Sequence, residues 1–154
     1  MGIDEDLADA TGPADEPVVA GQAAPIVRRA RAWLSRAAEP GSPEFWRFVE
    51  ALGPVEAVRR IRGGTAPERI RALVGVRARE DGSLNDLRNA ERCGGRLVVP
   101  EDDEWPAFPL HSLTLAVAEE PAEQGHRSDR TRALVPPVAL WVRGPERLDE
   151  LADR

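Results

Sequence analysis

The chain has 154 residues and contains no lysine, no tyrosine and one cysteine. Each absence removes a class of chemistry. Without lysine there is no phosphate-binding loop of the lysine type, no Schiff-base nucleophile and no Ser–Lys dyad. All 21 basic residues are arginine. Cys93 has no second cysteine with which to close an internal disulfide, which fits a reducing compartment. The two histidines, His111 and His126, stand at no zinc-ligand spacing from Cys93. Apolar runs are short: the longest, around Ala133–Val142, is broken by Pro136 and Pro137, and a membrane helix needs about 20 residues. The N-terminus is acidic and lacks the apolar stretch of a signal peptide. The expectation is a soluble, cytoplasmic protein with no membrane contact.

What is present is charge, unevenly placed. The net charge is −6. Residues 1–24 hold six acids and no base; residues 25–79 hold 12 arginines against 5 acids; residues 80–154 hold 9 arginines against 16 acids. The middle block is therefore +7 and the last −7. Such a basic block reads in two ways: as a surface for nucleic acid or an acidic partner, or as a solvated arginine-rich helical face partly neutralised by the acidic tail.

Residues 1–24, rich in Ala, Asp, Glu, Gly and Pro, show no sustained apolar period and read as a disordered acidic tail. Pro25 then opens a helix with Ile26, Val27, Ala30, Trp33, Leu34 and Ala37 at helical spacing. Ser42 followed by Pro43 is an N-cap and a first helical residue, and Phe45, Phe48, Val49 and Leu52 give that second helix one apolar face. Gly53-Pro54 breaks it and starts a third helix, with Val55, Ala57, Val58 and Ile61 inside and Gly63-Gly64 as its stop. Thr65 and Glu68 have capping-box spacing, with Ile70, Leu73 and Val74 expected to be buried next. Ser83 is expected to cap a helix carrying Leu84, Leu87 and Ala90, stopped by Gly94-Gly95.

Arg96–Val99 follows as a short strand, and Glu101–Phe108 as a loop. Residues 117–133 read as an exposed polar insertion. Val138–Val142 is apolar on both faces, as in a central parallel strand, with Trp141 directed to the core and Pro145 opening a last helix. Two strands make a sheet that is marginal alone, so residues 96–154 are expected to be poorly packed unless they lean on the helices or on a partner.

Few residues carry candidate chemistry. The helix–Gly-Pro–helix at 45–62 has the outline of a helix-hairpin-helix, which holds phosphate on backbone N–H groups. It has one glycine where two would allow close approach, and Pro54 removes a donor. A tight turn between packed helices is the simpler reading. Arg59, Arg60 and Arg62 follow the turn and are the candidate nucleic-acid contacts. Four consecutive acids, Glu101 to Glu104, do not converge as a metal loop would. Cys93, at a helix end, reads as a small buried thiol. Ser112 and Ser128 lack a nucleophile elbow, and Trp105 and Trp141 are the aromatics available to stack on bases. No catalytic constellation, metal site or cofactor site emerges.

Four stretches occur in order: RARAWLSRAAEPG, VEALGPVEAVRRIRGG, GGRLVVPEDDEWPAF and PPVALWVRGPERLDELA. Together they resemble the N-terminal portion of the DprA (Smf) family of DNA-processing proteins, in its high-GC actinobacterial form, over about residues 26–154. The resemblance implies an α+β, helix-rich chain: a small helical SAM-like bundle at 25–80, then at 81–154 the incomplete start of a Rossmann-like α/β domain. It implies a non-enzymatic protein of natural transformation and recombination that binds and protects single-stranded DNA and helps load the RecA recombinase, with self-association in the intact family. The family's glycine-rich DNA-binding loops have no counterpart in these residues, so the expectation is a partial member lacking the main DNA pocket. The competing expectation is a stand-alone helical module that recruits a protein through residues 26–92 and binds no nucleic acid.

Overall fold

The structure is a computed structural model and describes residues 19–118 and 135–152. Most of the segment read as a disordered tail, and nearly all of the insertion expected at 117–133, lie outside the described residues. The helices are α1 (Pro25–Ala37), α2 (Pro43–Leu52), α3 (Pro54–Arg62), α4 (Glu68–Leu73), α5 (Ser83–Arg92), α6 (Ala107–Ala118) and α7 (Leu148–Ala152), with a 3₁₀ turn at Val76–Arg79. The strands are β1 (Gly95–Val98) and β2 (Leu140–Arg143). Among the described residues the fold is thus helix-rich with one two-stranded antiparallel sheet.

Local chemistry accounts for the helix limits. Pro25, Pro43 and Pro54 each occupy the first helical turn, where the missing N–H would have no partner anyway. The Ser42 hydroxyl accepts the Phe45 N–H. Gly53 ends α2 and begins α3 in one residue, at φ 80° and ψ 158°, a region essentially reserved for glycine. Its N–H donates to the Val49 carbonyl and its own carbonyl accepts from Ala57.

The main core is helical. Ala30, Trp33, Leu34 and Ala37 of α1 meet Phe45 and Val49 of α2, Ala57, Val58 and Ile61 of α3, and Ile70 of α4. Leu34 and Val49 are fully buried, each contributing roughly 1.5–3 kcal/mol of hydrophobic stabilisation. A second cluster joins Ala32, on another side of α1, to Leu97, Val99 and Ala139. Helix α1 is therefore common to both cores, and β1 is among the best-buried segments: Leu97, Val98 and Val99 are 0–2% exposed. The strand region leans on α1 and is not loosely packed at β1.

Several expectations need correction. The two strands are antiparallel, pairing Leu97 with Trp141 and Val98 with Leu140. Strand β2 is half-buried and alternating, not apolar on both faces, and Trp141 is 45% exposed. Cys93 is exposed, because α5 ends there without a covering element. The Thr65–Glu68 capping box does not form: Pro67 is the residue that precedes α4, and the Thr65 hydroxyl donates to the Arg60 carbonyl. Ser83 lies inside α5, after Gly82, and the Asp81 carboxylate takes the capping role by accepting its N–H. Leu73 and Ile26 stay well exposed. Helix α6 includes Ala107 and Phe108, which the sequence placed in a loop. Residues 19–24 make specific bonds, with the Gly21 carbonyl accepting from Asp103 and the Ala23 N–H donating to Asp102.

Candidate nucleic-acid interface

Helix α3 carries the three arginines singled out in the sequence. Arg59 and Arg60 lie three and four residues, about one helical turn, from Glu56, and both guanidinium groups converge on its carboxylate, with Nε–O distances of 2.8 Å each. These donors hold the Glu56 carboxyl below the ordinary carboxylate range. Arg59 and Arg60 remain half-exposed, so two cations facing solvent share one anion. Arg62 points elsewhere: it reaches Asp81 at 3.5 Å. The structure therefore joins Arg59 with Arg60 and sets Arg62 apart.

Four other arginines of the basic block take a course the sequence did not suggest. Arg29 and Arg31 are buried, at 7% and 4% exposure. Arg29 donates to Asp81, Arg36 to Asp86, Arg31 to Glu101 and Arg28 to Asp102. With Arg62, five arginines of the 25–79 block face acids of the 80–154 block. Arg28, Arg29, Arg31 and Arg36 thus lie between elements of the fold, which neither sequence reading of the block describes, while Arg47, Arg59, Arg60, Arg62, Arg69, Arg71 and Arg79 are exposed, as the solvated-face reading has them.

The four consecutive acids resolve the same way. Glu101 pairs with Arg31 (2.7 Å), Asp102 with Arg28 (2.6 Å), Asp103 with Arg147 (3.2 Å) and Glu104 with Arg96 (2.8 Å). Each carboxylate has its own guanidinium. Asp102 is the hub, its two oxygens accepting from Arg28, from the Ala23 N–H at 2.8 Å and from the Val99 N–H at 2.9 Å. Burial would raise its pKa, but these donors outweigh burial and hold it below the usual aspartate value. Beside this ladder lies a cleft of about 420 Å³ lined in part by Arg28, Arg96 and Arg147. Since each of these cations already faces a carboxylate, the cleft offers no unbalanced positive charge for a phosphate.

Among the described residues no group of three or more histidines, cysteines or acids is placed to hold a metal. The Ser112 hydroxyl donates to the Pro109 carbonyl, so it has a local backbone partner. His126 and Ser128 lie outside the described residues. No helix among the described residues is long and apolar enough to cross a membrane.

One feature escaped sequence reasoning. Trp141 lines an open groove of about 370 Å³ together with Ser35 and Arg36 of α1 and Asp86 and Asn89 of α5. The only sequence signal for it was the aromatic in an alternating strand; its neighbours come from 52 to 106 residues away.

Comparison with known proteins bears on all of this. Over 126 residues the chain is 39% identical to a protein of Mycobacterium tuberculosis (strain CDC 1551 / Oshkosh) named for DNA processing, DprA. It is equally similar to the protein of that name from strain ATCC 25618 / H37Rv. The matched stretch is 82% of this chain and 30% of each relative, so the chain spans about 30% of the length of the curated relatives it matches. The resemblance stated from the sequence is thus present as measurable similarity to DprA. No family model and no solved structure matches the chain.

Proposed function

We propose that this chain is part of a DNA-processing protein that contacts single-stranded DNA during transformation and recombination. On this reading it works by binding, without catalysis, in the cytoplasm. Protection of the strand, loading of RecA and self-association are roles of the whole protein to which this part contributes. The 39% identity to proteins named DprA supports the DNA-processing class. Residues 25–80 serve as a SAM-like helical unit, and residues 81–154 as the opening of a Rossmann-like one, the two joined through α1.

The observation that carries the binding surface is the arrangement on α3. Arg59 and Arg60 face solvent with only Glu56 between them, leaving one net positive charge beside a tight helical turn. Arg62, whose pairing with Asp81 is long at 3.5 Å, can extend that surface when Asp81 retains Arg29 and Ser83 as partners. A phosphate approaching α3 competes with a single half-buried carboxylate.

A salt titration of single-stranded DNA binding tests this. Three phosphate contacts give a log–log slope near −2, from about 0.7 per contact on single strands. Binding absent at low ionic strength would remove the DNA reading and favour a helical module that engages protein alone.

A further inference from the structure

We propose that the groove beneath Trp141 is a stacking subsite for one unpaired nucleobase. This rests on the single-stranded DNA reading above and adds to it a place that grips bases, distinct from the phosphate contacts on α3.

The argument begins with the register. Trp141 sits directly opposite Leu97, so both side chains leave the sheet on the same face. Leu97 is buried against Ala32 of α1. Trp141, one strand further out, is 45% exposed and forms a wall of the groove between α1 and α5. A large indole left half in solvent, beside a cleft its own fold does not fill, offers a flat apolar face for a second ring.

The rest of the lining suits a heterocycle better than a phosphate. Its charged members are Arg36 and Asp86, and they neutralise each other through a 2.7 Å bond. The groove is therefore uncharged overall but rich in hydrogen-bonding edges. The Asn89 oxygen already accepts from Arg92, which turns the amide NH₂ outward as a donor. The volume, about 370 Å³, falls within the ~300–1,000 Å³ usual for small-ligand clefts. Gly82 leaves room for the Arg36 guanidinium, since a Cβ there would stand 2.7 Å from Arg36 Nη1.

The test compares an oligodeoxythymidine with an abasic strand of equal length, both at low salt, on the full chain. Trp141→Ala weakens the base-bearing strand by about 5- to 100-fold, the range of one lost stacking contact. Trp141→Phe retains most of the affinity, which also serves if the alanine variant fails to fold by circular dichroism. Neither substitution changes affinity for the abasic strand, and the salt slope stays as in the parent, since no phosphate contact is touched. If both strands bind the parent and both variants leave the base-bearing strand unaffected, the stacking subsite is wrong while the DNA reading stands. If neither strand binds the parent, both fall. If Trp141→Ala instead abolishes self-association with strand affinities unchanged, the groove belongs to a second copy and the proposal is overturned.

Discussion

Arg28 and Asp102, 74 positions apart, meet in a two-pronged ion pair with N–O distances of 2.6 and 2.9 Å. The same carboxylate also accepts the N–H groups of Ala23 and Val99. One aspartate thereby fastens the entry to α1, α1 itself and the end of β1. This explains why a chain with a +7 block followed by a −7 block shows so little of either charge at the junction between them.

Loss of Asp102 is expected to be among the costliest single changes in the protein. Asp102→Ala leaves Arg28 partly covered and two backbone donors unpaired, and removing one partner of a buried pair costs about 3–5 kcal/mol. Urea denaturation should show a lower midpoint with little change in slope. Replacing both partners with apolar residues, Arg28→Met with Asp102→Leu, should recover part of the loss, because desolvation of the charges is then no longer incurred.

Stability should fall on the acid side. The folded-state pKa values of Asp102 and Asp81 are depressed: for each, burial acts upward and is outweighed by hydrogen bonds and an arginine. A depressed carboxyl contributes stability that is fully present above its unfolded value, about 3.9, and is lost as pH falls through the lower folded value. Unfolding free energy should therefore be nearly flat from pH 7 to about pH 5 as far as these groups are concerned, then drop below about pH 4. In Asp102→Asn that drop should be shallower, measured by urea titrations across the range.

Gly53→Ala isolates backbone strain from packing. A Cβ at this position meets nothing within 4 Å, so no clash contributes. The φ of 80° with ψ of 158° still disfavours any side chain, at about 1–3 kcal/mol. Thermal unfolding should register this destabilisation, and Gly41→Ala, also unobstructed at φ 87°, should behave likewise.

On α3, Glu56→Gln removes the carboxylate between Arg59 and Arg60. Single-stranded DNA affinity should rise at low salt, with the log–log salt slope staying near the −2 expected of three contacts at about 0.7 each, since Arg59 and Arg60 are already among them. Arg59→Ala should lower the slope by about 0.7. An affinity indifferent to both changes would place the DNA contact elsewhere on the molecule.

Much of the helical part was legible because its signals are local. Ser42-Pro43, Gly53-Pro54 and Gly63 act on their own backbone, and α2 and α3 begin and end where those residues dictate. The misses share a different cause: they depend on residues far along the chain. Burial of Arg29 and Arg31 follows from Asp81 and Glu101, which no helical periodicity announces. The capping residue of α5 was misplaced because the helix already starts at Ser83, whose own N–H is taken by the Asp81 carboxylate two positions earlier. Helix α6 has apolar residues around its whole circumference, so it shows no face from which a helix could be inferred. Trp141 reads as core in an apolar strand, yet its exposure is decided by where α1 and α5 stop short of covering it. Of the candidate site, the Arg59–Arg60 pair could be proposed from sequence, but Glu56 as their shared anion and the diversion of Arg62 toward Asp81 required coordinates.

That α1 serves both cores has a consequence for biosynthesis. The ribosome delivers α1 first, yet the acids that neutralise Arg28, Arg29 and Arg31 follow 52 to 74 positions later. At roughly 5–20 residues per second, the nascent helix waits on the order of 3–15 s for those three carboxylates. During that interval it is a cationic segment emerging beside the polyanionic ribosome surface, and its final seat opens only when the Glu101–Glu104 stretch clears the exit tunnel.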